Sequence, residues 1–472
     1  MSSEHVMSPE EFGVPSEAVI DLVDMLERRG LDPHALLVAR RDADGWHDAV
    51  SCAWRPFDTE QPALVYSVSK TFASLAIGLL IGEQRLTADD SVGELLGLPN
   101  PHGLTVRHLL TMNTGHSPEQ IEALRFDVRA LLTVPPAASP GTRFAYNSDA
   151  TFALSCIVTA LTGERLTDYL RPRLLDPLGI GRRWVKPARG VEQGFSGFHI
   201  TVGEIARVAQ LLADGGRLGE RQLVPAEYIE ELSRPWSDTR DPAQPENVVD
   251  DWGLGYGYQV WRSTHGFRLD GAYGQFGLVL PERGIVIAYQ GSALATQQTL
   301  SAFWRFVDTI GDAPAATPAP DAVADTASRR LATLDTWSFR GTLAVDRNVD
   351  VDTTDWRLTD SEGGWRLDIP ALGGVAVGSD EWVRTTVRAD APADPGGAVV
   401  ESPPVEEGTH VAIAARGERD ADGVLVHLVM PTSPHRMIVR ADSAGAVHAG
   451  WHTVPLQGPS IATLAVPAWV IR

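Results

Sequence analysis

Tyr66-Ser67-Val68-Ser69-Lys70-Thr71-Phe72-Ala73-Ser74-Leu75-Ala76-Ile77-Gly78-Leu79-Leu80-Ile81-Gly82 is the stretch that decides the fold. It reads as a helix running through Leu75, Leu79 and Leu80 to Gly82, with Ser67 at or near its N-terminus. Ser67 and Lys70 are three residues apart, a spacing that places both on one helix face with their side chains in reach of each other. A serine hydroxyl is a poor nucleophile until a neighbouring base takes its proton, and a lysine serves when burial lowers its pKa enough to populate the amine. The free amides and positive dipole end of a helix N-terminus favour the negative charge that develops on attack. A solvated surface helix carries the same spacing by chance. Composition adds a second signal: of 40 cationic side chains only Lys70 and Lys186 are lysine, and all others are arginine. In a chain that uses guanidinium groups almost everywhere, a retained lysine points to a task that needs an amine able to lose its proton. Codon bias with two survivors is the plain alternative.

Outward from this stretch, Val19, Val23 and Leu26 are spaced for one face of a helix over Ser16 to Arg29, ending at Gly30. Ala35 to Arg40 and Asp48 to Trp54 read as a hairpin around the turn residues Asp42, Asp44 and Gly45. Residues 100–235 are mainly helical. Ser148 is the expected N-cap of a helix using Leu154, Ile157, Val158 and Leu161, and Thr201 with Glu204 forms a capping box ahead of Ile205, Val208 and Leu212. Strands return at Tyr256 to Trp261, Phe276 to Leu280 and Gly284 to Gln290, before a closing helix over Thr296 to Ile310. This order predicts an α+β fold, with a helical insert between strands. Ala313 to Ala327, dominated by Ala, Pro, Asp and Thr, reads as an extended linker. Strand-like segments at Trp365 to Ile369, Val424 to Met430 and Arg436 to Arg440 follow. The expected organisation is one domain over residues 1–312, a linker over 313–330 and a small all-β domain over 331–472.

Three motifs in order give the chain a family resemblance over roughly residues 10–310. Tyr66 to Phe72 is similar to the Ser-x-x-Lys motif, Leu109-Leu110-Thr111-Met112-Asn113-Thr114-Gly115-His116 to the Leu-Leu-Thr-x-x-Ser/Thr-Gly segment, and Pro140-Gly141-Thr142-Arg143-Phe144-Ala145-Tyr146-Asn147-Ser148 to the second catalytic motif of the serine β-lactamases, penicillin-binding proteins and related esterases. Within that family the chain resembles the class C branch. The resemblance implies a β-lactamase-like antiparallel sheet flanked by helices, and Ser67, Lys70 and Tyr146 as catalytic residues. Outside this context Tyr146 reads as a core aromatic with a satisfied hydroxyl. The family pattern Tyr-x-Asn is replaced here by Tyr146-Asn147-Ser148, which puts the short Ser148 hydroxyl where an amide usually meets substrate.

The third motif, Lys-Thr-Gly or His-x-Gly in the family, has its best counterpart in Leu269-Asp270-Gly271, followed by Ala272-Tyr273-Gly274-Gln275. The cation is absent. By resemblance the backbone amides of Ser67 and Ala272 form the oxyanion hole, with Gln275 the second donor if the register shifts, and Gly271 and Tyr273 line the substrate site. The family's missing cation holds a substrate carboxylate, which Asp270 would repel, so an ester or amide without a nearby carboxylate is expected rather than efficient β-lactam hydrolysis. His116 is read as a structural residue of its turn in preference to a site residue, and Gly253-Leu254-Gly255-Tyr256-Gly257 as strand and turn packing rather than a nucleotide loop.

The formal charge of -21 disfavours nucleic acid and anionic membranes as partners, and the apolar run from Phe72 to Gly82 is too short to span a bilayer. Met1 to Gly13 has no signal-peptide character, so a cytoplasmic location is expected. Cys52 and Cys156 alone make neither a disulfide framework nor a zinc site. The expectation is a serine hydrolase that takes a small ester or amide through an acyl-enzyme, without metal or cofactor, in carboxylesterase, peptidase or amidase fashion. A catalytically idle scaffold that binds a partner is the competing reading. Oligomeric state is not legible.

Overall fold

The computed structural model describes residues 9–181, 185, 187–241, 250–311, 321–345, 349, 351–370, 372–388 and 410–456. A six-stranded antiparallel sheet organises the first part, in the order Trp46–Ala53, Pro33–Arg41, Ile285–Gly291, Gln275–Leu280, Phe267–Gly271, Trp261–Arg262. The N-terminal hairpin joins the later meander through Leu36 opposite Tyr289 and Val38 opposite Ile287. Strand alternation divides the core between two faces. Leu36, Val38, Leu278 and Ile287 lie under the helices Ser16–Arg28 and Thr296–Ile310, whereas Leu37, Leu269, Val279 and Val286 meet the helical insert. The result is a helix–sheet–helix sandwich of the α+β class.

The Ser69–Gly82 helix runs through the middle of the insert, with every residue from Ser69 to Leu80 buried. A helix that is apolar around its whole circumference belongs inside a protein, so the solvated-face reading of Ser67 and Lys70 does not apply. The α-helix starts two residues later than the sequence implied, since Tyr66–Val68 is a tight 3₁₀ turn. The helix Ser148–Thr162 begins where expected, but Asn147 and not Ser148 is its cap. Asn147 is fully buried, its Oδ1 accepts from the Ala150 N–H at 3.0 Å, and its Nδ2 donates to Thr114 Oγ1 at 3.3 Å. Asn147→Ala removes both bonds and is expected to cost about 2 kcal/mol in urea denaturation, at the upper end for an N-cap. Thr201 and Glu204 form the expected capping box.

Two strand and linker expectations are corrected. Of Tyr256 to Trp261 only Trp261 enters a regular strand, with Arg262, because Gly257 and Gln259 at φ 63 turn the chain back on itself. Part of the extended linker lies outside the described residues, and its later part is helical over Asp321–Ala332. That helix is held to the first by Arg330, which bonds Asp24 at 3.0 Å and Glu27 at 2.6 Å. Tertiary ion pairing on a partly covered face supplies order that the composition alone did not announce.

The C-terminal strands form a separate eight-stranded sheet. Its order is Arg357–Ser361, Gly364–Ile369, Gly373–Gly378, His410–Asp420, Gly423–Val429, Arg436–Asp442, Val447–Trp451, and Val383–Arg388 also pairs with His410–Asp420. Alternate residues of these strands, among them Leu367, Val375, Val426, Val439 and Trp451, fill a core of its own. The two sheets meet beside the start of the Ser69–Gly82 helix. Asp32 and Arg436 pair there at 2.8 Å through both guanidinium branches with no solvent exposure of the carboxylate, and the Leu64 N–H donates to the Thr432 carbonyl at 2.9 Å.

Candidate active site

Ser67 is half-buried, and Lys70, one helical turn further along the chain, is 2% exposed. Lys70 Nζ is 3.1 Å from Ser67 Oγ and 3.0 Å from the Phe195 carbonyl oxygen, to which it donates. Burial alone brings Lys70 down to about 7. Among the described residues no carboxylate bonds or pairs with Lys70, and a buried ammonium without a counter-charge gives up its proton readily. Near neutral pH a large fraction of Lys70 is therefore an amine with a lone pair beside a serine hydroxyl.

Tyr146 completes the cluster. Its ring lies 4.9 Å from Lys70 Nζ, and its phenol interacts with Ser67. As a residue it is 40% exposed, yet its surroundings desolvate the phenol: burial raises its pKa, the Ser67 hydrogen bond opposes this, and nearby Asp270 adds to the rise. Tyr146 is thus a phenol and not a phenolate, beside a lysine that titrates near neutrality. An aromatic wall fixes the ring. Trp261 stacks on it at 5.8 Å and Tyr256 meets it edge-on at 6.2 Å.

The Leu109 to His116 segment backs this arrangement. Leu109 and Leu110 are core residues, the Ala145 N–H donates to the Met112 carbonyl at 3.2 Å, and the Gly141 N–H donates to the Asn113 carbonyl at 2.7 Å. Gly115 has φ 83, and a Cβ there would lie 2.2 Å from the Ala138 oxygen, so only glycine fits the turn. His116 is buried, with Nδ1 at 3.1 Å from Thr114 Oγ1 and Nε2 at 3.3 Å from the Val134 carbonyl, which is the structural role expected of it.

The Phe267–Gly271 strand brings its C-terminal end against the turn that carries Ser67: a Cβ on Gly271 would lie 2.2 Å from the Val65 oxygen. Ala272 follows, half-buried, and no described hydrogen bond uses its N–H. Gln275 pairs with Gly271 across the hairpin and its side-chain Nε2 donates to the Gly291 carbonyl at 2.6 Å. Ser148 is half-buried in the first turn of its helix. The Tyr273 hydroxyl donates to the Val454 carbonyl of the C-terminal part.

Sequence reasoning missed two partners. Arg268, fully buried, holds Asp270 at 2.7 Å and also donates to the Arg262 carbonyl at 2.6 Å. Its position two residues before Asp270 puts it on the same strand face, a signal the period of a strand carries. Burial raises the Asp270 carboxyl and Arg268 opposes that rise. Phe195, the Lys70 acceptor, lies 125 residues away on a loop, and no local pattern marks it. Lys186 lies outside the described residues.

A serine–lysine pair at the head of an apolar helix, beside the Phe267–Gly271 strand of an antiparallel sheet, is the architecture of a β-lactamase-like fold. The profile of the family described as Beta-lactamase matches residues 24–302, more than half of the chain, and the protein belongs to that family. Solved structures similar to it include a protein of Bacteroides dorei DSM 17855 provisionally named a beta-lactamase (17% identity, 62% of this chain and 97% of that one, TM-score 0.50). A family VIII carboxylesterase is similar at 16% identity, over 64% of this chain and 99% of its own, with TM-score 0.49. The octameric penicillin-binding protein homologue from Pyrococcus abyssi is similar at 16% identity, over 92% of this chain and 98% of its own, with TM-score 0.47. No curated protein sequence matches. Among the described residues no helix is long and apolar enough to cross a membrane.

Proposed function

We propose that the protein is a serine hydrolase that cleaves an ester or amide through an acyl-enzyme on Ser67. The observation that carries this reading is the 3.1 Å approach to the Ser67 hydroxyl of a buried Lys70 amine that has no carboxylate partner among the described residues. Neutral Lys70 takes the Ser67 proton as Oγ bonds to the substrate carbonyl carbon, and the carbonyl electron pair moves onto oxygen, where the Ser67 and Ala272 amides receive it. As the carbonyl reforms, the bond to the leaving group breaks. The leaving group takes the proton from Lys70 by way of the Tyr146 phenol. Water then repeats the sequence on the acyl-enzyme, returning Ser67 to its free form.

The walls favour an uncharged, apolar acyl group. Tyr146, Trp261, Tyr256 and Phe144 form one aromatic side, and stacked Phe126 and Phe195, 4.4 Å apart, stand on the Lys70 side. Arg268, the cation next to this region, is engaged by Asp270, which leaves a substrate carboxylate poorly served. Intact-protein mass spectrometry after exposure to a fluorophosphonate is expected to give one adduct on Ser67 in the wild type and none in Ser67→Ala. The labelling rate is expected to rise tenfold per pH unit below neutrality and level off above about 7, following loss of the Lys70 proton. An unlabelled, folded wild type would refute the proposal.

A further inference from the structure

Each segment assigned to the oxyanion hole is bounded by a tyrosine in a backbone conformation that non-glycine residues rarely adopt. Tyr66, φ 46, precedes Ser67, and Tyr273, φ 64, follows Ala272. Such residues cost on the order of 1–3 kcal/mol each and persist only where the surroundings over-determine them. Segments flanking the strands of the C-terminal sheet contact both side chains, and the Ala293 N–H donates to the Tyr273 carbonyl at 3.0 Å. Tyr66, 2% exposed, has its hydroxyl 2.6 Å from His435 Nε2, and the Tyr273 hydroxyl donates to the Val454 carbonyl. The two tyrosine rings meet edge to face at 5.8 Å, and His435 meets them at 5.8 and 5.3 Å. Three rings thus close a triangle between the nucleophile turn, the end of the Phe267–Gly271 strand and the C-terminal sheet.

The hydrogen-bond directions are fixed by chemistry. His435 Nδ1 is 3.0 Å from the Thr453 carbonyl, which only accepts, so Nδ1 carries the proton. Nε2 is then the acceptor for the Tyr66 O–H. Burial holds His435 down at about 3, so the ring stays neutral and this arrangement persists across the working range. Docking of the two sheets has further support beside the ring: the Asp32–Arg436 pair and the 2.7 Å bond between the Ser292 and Thr453 hydroxyls join the same segments without passing through the His435 side chain.

On the reading that Ser67 is acylated, we infer that the C-terminal sheet positions the oxyanion hole, with His435 as the positioning residue that holds Tyr66 and keeps the Ser67 amide aligned with that of Ala272. Relaxation of Tyr66 toward negative φ would swing the Ser67 N–H away from the acyl oxygen. Loss of one oxyanion donor costs roughly 10²–10³-fold in turnover, and a misplaced donor a part of that.

The test uses full-length protein and single-turnover acylation by p-nitrophenyl butyrate, with rates expressed per site titrated to completion with a fluorophosphonate. His435→Leu and Tyr66→Phe are expected to lower the maximal acylation rate about 10–100-fold with half-saturation changed less than about threefold. Phenylboronic acid, whose tetrahedral adduct places an oxygen in the hole, is expected to bind more weakly by a similar factor. His435→Gln, whose Oε1 accepts from Tyr66, is expected to recover most of the rate. Wild-type acylation per titrated site in His435→Leu, or a loss confined to half-saturation, overturns the inference and leaves the hydrolase reading standing. A wild type that no fluorophosphonate labels overturns the hydrolase reading, and this inference with it.

Discussion

Lys70→Met is expected to abolish acylation while making the protein more stable. The loss of activity follows from removing the only base 3.1 Å from Ser67 among the described contacts, and groups that act as a catalytic unit cost roughly 10³-fold or more when one is deleted. The gain in stability follows from linkage. A lysine brought from 10.5 to about 7 by burial binds fewer protons folded than unfolded between those values. Its burial penalty is fully present below about pH 7 and fades as pH rises toward 10.5. At about 1.4 kcal/mol per pH unit the penalty is of order 5 kcal/mol, against which the lost bond leaves the Phe195 carbonyl unpaired at a cost of about 1–3 kcal/mol. The expected net gain is about 2 kcal/mol at pH 6, read from urea denaturation, and shrinking by pH 9. Lys70→Arg, whose guanidinium keeps its proton, is expected to be equally inactive without that gain. A Lys70→Met protein less stable than wild type at pH 6 would show that Lys70 is not carrying an uncompensated burial cost.

Arg436→Ala is expected to cost about 3–5 kcal/mol, the largest single loss of stability at the junction of the two sheets. Burial alone would push the Asp32 carboxyl up, but Arg436, with help from His34, outweighs it and holds it below the usual carboxylate range. Removing the guanidinium leaves a fully buried charge without its two 2.8 Å bonds. Asp32→Asn with Arg436→Met removes both charges together and is expected to cost much less, since breaking a buried pair is dearer than replacing it. Urea denaturation of the three proteins gives the comparison. The sign of the pH effect is set by the lowered carboxyl: the contribution of the pair is present above pH 4 and is lost as pH falls below the ordinary carboxylate value. Equal losses in Arg436→Ala and in the double variant would mean that the pair contributes shape and not charge.

Much of the Ser69–Gly82 helix, the capping box at Thr201 and the closing helix Thr296–Ile310 was legible because each rests on contacts within a few residues. Misplaced features came from competition between local options. Ser148 and Asn147 are both good caps, and the choice of Asn147 is made by Thr114, which receives its amide from another segment. Tyr256 to Trp261 has strand-forming residues throughout, but Gln259 at φ 63 bonds its side chain to the Leu109 and Leu110 carbonyls, and that tertiary demand breaks the strand. The Arg268–Asp270 pair was within reach of strand periodicity, whereas Phe195 and His435 were not.

Spacing and periodicity along the chain were enough to place a serine and a lysine at the start of an apolar helix, to build the sheet from strands before and after a helical insert, and to set a second group of strands after it. These depend on spacing, periodicity and caps, which act over one or two turns of chain. Tertiary packing sets the rest: Lys70 is buried with no carboxylate partner among the described residues, Tyr146 stays a phenol, and segments beside the C-terminal sheet reach the residues flanking Ser67 and Ala272. Those outcomes depend on which groups exclude water from one another. Segments hundreds of residues apart supply that desolvation, and a linear pattern carries no record of the distance between them.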